Sequence, residues 1–109
     1  MTYAEIDKLI EDIKLPYAYY QFPEGTGQAP PFICFYYPNR DDVFADNANY
    51  KTKEVLVIEL YTAYKDFEKE TAVESALTSA GFSFSKNSSR IDSESMWQTT
   101  FETEVYIDG

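Results

Sequence analysis

The residue types that most often do chemistry in proteins are scarce in this sequence. It contains no histidine, so the commonest general base is missing, and its one cysteine, Cys34, lies in an apolar run. A cysteine in such surroundings is typical of a small buried hydrophobic residue. We therefore expect no catalytic residue, no metal centre and no cofactor, and a small enzyme is the least favoured class of function.

One oxygen-rich segment has the residue types that could hold a hard cation. Its acidic and amide residues fall within nine positions and are Asp41, Asp42, Asp46, Asn47 and Asn49. Carboxylate and amide oxygens are the ligands that Ca²⁺ prefers, but the ligand spacing and terminal glutamate of a calcium-binding hand are absent. The pattern favours a solvated loop over a calcium site.

Two other short patterns have both a chemical and a structural interpretation. Gly25-Thr26-Gly27 is followed by prolines and opens no helix, which favours a turn over a phosphate cradle. Glu102 and Glu104 could act as an acid and base pair on a sugar. They stand two residues apart on the exposed face of a predicted strand, so a solvated or interface role is favoured over catalysis.

The elements that must position these residues follow from apolar periodicity. Helical spacing predicts a first helix from about Tyr3 to Lys14, which begins with a capping box of Thr2 and Glu5. Leu15-Pro16 ends this helix, because proline cannot donate to the helical ladder. Aromatic or alternating stretches predict strands at Tyr17–Phe22, Phe32–Tyr37 and Lys53–Tyr64.

In the second half of the chain, the cap residues and the apolar pattern predict one helix and two further strands. Asp66 is the expected cap of the helix and Gly81 its end. The predicted apolar stripe of this helix comprises Phe67, Val73, Ala76, Leu77 and Ala80. Phe82 to Ser85 alternates as a strand does, and Lys86 to Ser89 is predicted as a turn. A last strand then runs from Ile91 or Glu94 to Ile107.

The order α-β-β-β-α-β-β predicts a single small α+β domain over residues 1–109, with an antiparallel or mixed sheet covered by two helices. In the third strand, alternation directs Val55, Val57, Glu59 and Tyr61 away from the core. Six residues are expected to be buried together: Leu56, Ile58, Leu60, Leu77, Trp97 and Phe101.

The charge of the chain limits the classes of partner. With 19 acidic and 9 basic residues its net charge is −10, which argues against a protein that binds nucleic acid through phosphates. The aromatic strands Tyr17–Phe22 and Phe32–Tyr37 could stack on bases, yet they contain no Lys or Arg. No stretch approaches the roughly 20 apolar residues of a membrane span, so we expect no membrane contact.

The connection from Asn39 to Thr52 is long and polar, and it is the expected protein interface. Phe44 in its middle either folds down over the sheet or anchors a partner. The candidate interface residues are Asp41, Asp42, Phe44, Asp46, Asn47, Asn49 and Tyr50.

Several stretches of the chain carry a resemblance to a known family. The stretches are Tyr20–Gly25, Pro31–Tyr36, Phe44–Tyr50, Ile58–Thr62, Phe67–Glu70 and Ile91–Gln98. They resemble small proteins from the structural gene clusters of tailed phages and prophages. Within those clusters the resemblance is to the tail-completion, tail-terminator or head-to-tail joining proteins of phages with long non-contractile tails.

The resemblance implies a virion structural protein that caps or completes the tail tube as a ring and contacts the head connector. Its implied partners are copies of itself, the tail-tube protein and the head-connector protein, and DNA passes through the ring without sequence-specific binding. Its implied location is the virion, and the host cytoplasm during assembly. The alternative is an acidic cytoplasmic interaction or adaptor module, inhibitor-like, that binds a basic protein partner.

Overall fold

The computed structural model describes residues 1–23, 25–38, 40–41 and 52–108. In chain order the elements are α1 (Tyr3–Glu11), β1 (Tyr17–Tyr19), β2 (Phe32–Tyr36), β3 (Arg40–Asp41), β4 (Thr52–Thr62), α2 (Phe67–Ser79), β5 (Phe84–Ile91), a 3₁₀ turn (Asp92–Glu94) and β6 (Met96–Ile107). The predicted α+β class and element order are confirmed, with β3 as an additional short strand. No helix in these ranges is long and apolar enough to cross a membrane.

The strands form one mixed sheet in the order β1-β2-β4-β6-β5, and β3 pairs with the beginning of β4. β1 runs parallel to β2, and all the other paired strands are antiparallel. β4 and β6 pair along the whole length of β4, from Thr52 opposite Ile107 to Thr62 opposite Trp97. This long ribbon is the centre of the sheet.

Both helices contribute to one hydrophobic core on a single face of the sheet. The core residues are Ile6, Ile10, Ile33, Phe35, Leu56, Ile58, Leu60, Val73, Leu77, Phe101, Val105 and Ile107. Five of the six residues expected in the core are there. Trp97 was predicted wrongly, because it lies at the end of β6 opposite the last residue of β4 and is only partly buried. The ammonium of Lys65 lies 5.7 Å from its ring centroid.

α1 and β1 each end three residues earlier than the sequence predicts, and the backbone gives the reason. The capping box of α1 is confirmed, but the helix ends at Glu11 and not at Lys14. Lys14 adopts a left-handed conformation with φ of 69°, which an α-helix does not accommodate. β1 ends at Tyr19 and not at Phe22, because Tyr20 also has φ of 69°.

The predicted turn at Lys86–Ser89 is wrong. These residues lie within β5, which pairs antiparallel with β6 from Phe84 opposite Thr103 to Ile91 opposite Met96. The chain reverses instead at the 3₁₀ turn, where Ser95 has φ of 52°, so the last strand begins at Met96. Pairing with β6 satisfies the backbone polar groups of β5 and outweighs the turn preference of its Asn and Ser residues.

The ends of α2 are as predicted, but its buried face does not consist of the predicted residues. The Asp66 carboxylate accepts a hydrogen bond from the backbone N–H of Lys69 at 3.1 Å, and Gly81 has φ of +85°. Phe67 is 67% exposed and so does not belong to the buried stripe. The buried residues of α2 are Glu70, Val73 and Leu77, at spacings of three and four.

Candidate functional site

The face of the sheet opposite the helices, which we call the outer face, carries an unusual group of side chains. On β2 and β4 the residues that point to this side are Phe32, Cys34, Tyr36, Val57, Glu59 and Tyr61. Successive side chains of a strand alternate between faces, so this set is a direct consequence of the register that buries Leu60 and Ile58 on the other side.

The chain that follows β1 covers part of the outer face. The Phe22 ring packs edge-on against Phe32 at 5.4 Å, and Tyr20 packs edge-on against Tyr36 at 5.7 Å. Phe32 in turn stacks on Tyr61 at 4.7 Å. The result is an open groove of about 670 Å³, which we call the aromatic groove and define by Tyr20, Phe22, Phe32, Tyr36, Glu59 and Tyr61.

Glu59 is the central polar group of the aromatic groove. Its Oε2 accepts a hydrogen bond from the Tyr36 hydroxyl at 3.2 Å, and its Oε1 accepts one from the Tyr61 hydroxyl at 2.9 Å. The Tyr61 oxygen accepts a hydrogen bond from Gln98 Nε2, also at 2.9 Å. This chain of hydrogen bonds holds the carboxylate in a defined orientation.

Burial and the charge of Glu59 both raise the pKa of the neighbouring tyrosine hydroxyls and of the Cys34 thiol. Burial is the main reason why the pKa of Tyr61 and of Tyr36 is raised, and the Glu59 carboxylate raises each further. Burial also raises the pKa of the Cys34 thiol, with Glu59 as the second cause. Cys34 is 5% exposed, which confirms its interpretation as a buried small residue. A buried thiol that stays protonated is a weak nucleophile.

A second polar cluster lies between α2 and β5 and was missed by sequence reasoning. The Glu70 side chain is 2% exposed, and its oxygens lie 2.6 Å from Lys65 Nζ and 2.7 Å from Lys86 Nζ. Lys65 also donates to Ser88, and Lys86 pairs with Glu74 at 2.8 Å. The three-and-four spacing of Glu70 with the apolar residues of α2 was the signal that could have found it.

A third cluster lies near the beginning of β4. Glu54 is 4% exposed and accepts a hydrogen bond from the Tyr3 hydroxyl. The Tyr37 hydroxyl is buried and has no hydrogen-bond partner among the described residues. Burial, followed by the charge of Glu54, raises the pKa of Tyr37. This corner adjoins the predicted interface loop, since Arg40 of β3 lies opposite Glu54 in the register.

The predicted interface residues fall mainly outside the described ranges. The backbone of Asp41 belongs to β3, opposite Lys53. The other six lie outside the described residues and are Asp42, Phe44, Asp46, Asn47, Asn49 and Tyr50. Their role in an interface therefore stays a prediction. In the described ranges, no group of three acidic or cysteine residues is placed to hold a metal ion.

The two short patterns singled out in the sequence take up structural positions. Glu102 and Glu104 are both exposed on the outer face of β6, and Glu104 forms an ion pair with Lys53 at 2.8 Å. Gly25 and Gly27 have φ of 81° and 57°, which is the turn conformation expected of glycine. Neither pattern is part of the aromatic groove's hydrogen-bond chain.

No protein-family model matches the chain, and no curated protein is significantly similar to it in sequence. Its fold is similar to that of a chain in the solved structure "Virion of native gene transfer agent (GTA) particle". The TM-score is 0.63 at 16% sequence identity, and the match covers 93% of this chain and 84% of the other. A likeness at this level of identity concerns the fold.

Proposed function

We propose that the chain is a structural protein of a phage-like virion, where copies of it form a ring at the head-tail joint. In this role it caps or completes the tail tube and contacts the head connector. The observation that carries the proposal is the fold similarity to a chain of a gene transfer agent virion, which extends over 93% of the sequence. The resemblance of several sequence stretches to small phage tail-completion proteins supports it.

The edges of the sheet supply surfaces through which copies could meet. β1 and β5 stand at the two ends of the strand order, and β5 is an eight-residue strand whose side chains from Ser85 to Arg90 are polar and mostly exposed. An edge strand presents backbone groups that can pair with another chain. Contacts between different surfaces of identical subunits close into a ring when the rotation between them permits it. The predicted interface loop around Phe44 would add to this contact.

The charge of the chain suits a ring through which DNA moves. A net charge of −10 on each copy repels phosphate and removes the attraction that would hold DNA in place. DNA would therefore pass through the ring without sequence-specific binding. The proposed partners are other copies, the tail-tube protein and the head-connector protein, in the virion and in the host cytoplasm during assembly.

The test is electron microscopy of particles made from a genome in which this gene is deleted, with the intact gene supplied in trans as the control. We expect filled heads and separate tails that fail to join, or tails of uncontrolled length, and restoration by the intact gene. Normal infectious particles in the absence of the protein would contradict the proposal. Empty or missing heads beside normal tails would also contradict it, since they indicate an earlier step.

The second candidate function is an acidic adaptor that binds a basic protein, and the outer face favours it. The outer face carries the carboxylates of Glu59, Glu102 and Glu104, with Lys53 as the cation paired to one of them. An adaptor of this kind would bind its partner outside any particle, with an affinity that falls steeply as salt rises. Absence of the protein from purified particles would favour it over the virion proposal.

A further inference from the structure

The aromatic groove places one carboxylate between two groups of aromatic rings. In the register of β2 and β4, Glu59 lies opposite Cys34. The Phe32–Tyr61 pair lies two residues away along the strands in one direction, and Tyr36 lies two residues from Cys34 in the other direction. Phe22 and Tyr20 extend these two groups over the groove. A cation that reaches Glu59 therefore has ring faces or edges on both sides along the strand direction.

Glu59 has acceptor capacity that the described residues do not use. A carboxylate offers about four acceptor positions, two on each oxygen. Tyr36 occupies one on Oε2 and Tyr61 occupies one on Oε1, so each oxygen keeps a free position. The fork of an arginine guanidinium donates two parallel hydrogen bonds to the two oxygens of one carboxylate, so it needs one acceptor position on each oxygen.

Among the residues whose side chains the structure describes, no lysine or arginine forms an ion pair with Glu59. The ion pairs in these ranges involve other carboxylates, such as Glu104 with Lys53 and Asp92 with Arg90. The Glu59 charge is nevertheless felt in the groove, because it contributes to the raised pKa of Tyr61 and of Tyr36. The groove thus holds a carboxylate that no described lysine or arginine side chain pairs with.

We propose that the aromatic groove binds an arginine side chain presented by another protein. The guanidinium would pair with both oxygens of Glu59 and stack against the neighbouring aromatic rings, a combination that favours arginine over lysine. A second copy of this chain is a poorer occupant, since the chain contains only two arginines, Arg40 and Arg90, and Arg90 forms an ion pair with Asp92. A basic partner has the complementary charge. This binding does not depend on a virion role.

The test is a titration of the ¹⁵N-labelled protein, followed by NMR, with N-acetyl-argininamide as the probe. N-acetyl-citrullinamide, which has the same shape without the charge, and N-acetyl-lysinamide are the matched compounds. At an ionic strength of about 0.15 M, exposed charges are partly screened, so general attraction to an acidic protein is reduced. We expect saturable shifts of groove signals, including the Gln98 side-chain amide, with a dissociation constant of about 1–10 mM.

Two variants separate groove binding from overall charge. Glu59→Gln keeps the size of the side chain and should weaken argininamide binding about ten-fold or more. Glu68→Gln removes the same unit of charge from an exposed position on α2, on the helix side of the sheet, and should leave binding within about two-fold. If citrullinamide shifted the groove signals of the unaltered protein as much as argininamide does, the proposal would be overturned. This comparison remains valid even if a variant fails to fold.

Other outcomes also overturn it. Lysinamide binding as strong as argininamide binding would remove the assignment to a guanidinium. Unchanged affinity of Glu59→Gln would remove the assignment to this carboxylate. Shifts of the same groove signals with protein concentration alone, without any added compound, would assign the groove to a second copy of the chain.

Discussion

Replacing Glu70 by glutamine is the sharpest test of the ion-pair cluster between α2 and β5. Glutamine keeps the size of the side chain but removes the charge that Lys65 and Lys86 face at 2.6 and 2.7 Å. A hydrogen bond to a charged group contributes about 1.5–3 kcal/mol. The Lys65 contact is a hydrogen bond, whereas the Lys86 contact is an ion pair without hydrogen-bond geometry, so counting each at this size sets an upper limit of about 3–6 kcal/mol on the decrease in the free energy of unfolding.

The exposure of the two lysines brings the expected value below that limit. Their side chains are 30% and 33% exposed, so water replaces part of the lost interaction. Lys65 keeps its hydrogen bond to Ser88, and Lys86 keeps its ion pair with Glu74. We expect Glu70→Gln to lower the free energy of unfolding by about 2–4 kcal/mol.

Urea unfolding at neutral pH, followed by far-ultraviolet circular dichroism, measures this change. Glu68→Gln is the control, since Glu68 lies in the same first turn of α2 but is exposed. It should cost no more than about 1 kcal/mol, the typical effect of a charge near a helix N-terminus. If Glu70→Gln cost no more than this control, the lysine contacts would not stabilise the fold and the reasoning would be refuted.

The stability difference between the unaltered protein and Glu70→Gln should depend on pH, and the direction of the change follows from the pKa of Glu70. Burial raises the pKa of Glu70, but its contacts with the positively charged Lys65 and Lys86 outweigh burial and hold the pKa below its ordinary value of 4.5. On acidification the unfolded chain takes up the proton first, so the contribution is complete above about pH 4.5 and is lost below it. The stability difference between the unaltered protein and Glu70→Gln should shrink in that range, and a constant difference would contradict the assignment.

Three further outcomes are expected. Ile58→Ala, at a fully buried position, should cost about 2–5 kcal/mol in urea unfolding, and a loss below about 0.5 kcal/mol would remove Ile58 from the core. Gly81→Ala should cost about 1–2 kcal/mol, because φ of +85° strains a residue with a side chain although open space surrounds the position. Light scattering should detect more association between copies as salt rises, because screening weakens the repulsion between chains of net charge −10; a decrease would contradict this.

Features that depend on neighbours along the chain were predictable from the sequence. The period-two alternation of β4 placed Leu56, Ile58 and Leu60 on the core side. The capping box at Thr2 and Glu5 is present as predicted, because its two hydrogen bonds join residues three apart. The same holds for the Asp66 cap. Such contacts form within one turn or one strand, so their residue types identify them without knowledge of the rest of the fold.

Features that depend on a partner far along the chain were not predictable. Lys86 to Ser89 has the composition of a turn, yet pairing with β6 makes it a strand. The spacing of Glu70 with Val73 and Leu77 indicates a buried position, but no local pattern shows that its partner there is Lys86, a residue of β5. In the first case a long-range contact outweighs a local preference.

The sequence by itself determined the α+β order, the helix caps, the core side of the central strand and the strongly acidic character of the chain. These properties rest on residue type and on short, regular spacing. Only the tertiary structure decided that Glu59 stands between two groups of aromatic rings, because Tyr20 and Phe22, in the chain after β1, pack on Tyr36 and Phe32 on either side of it. No regular spacing in the sequence indicates this arrangement of rings around Glu59. The parallel pairing of β1 with β2 and the register of β2 with β4 create it.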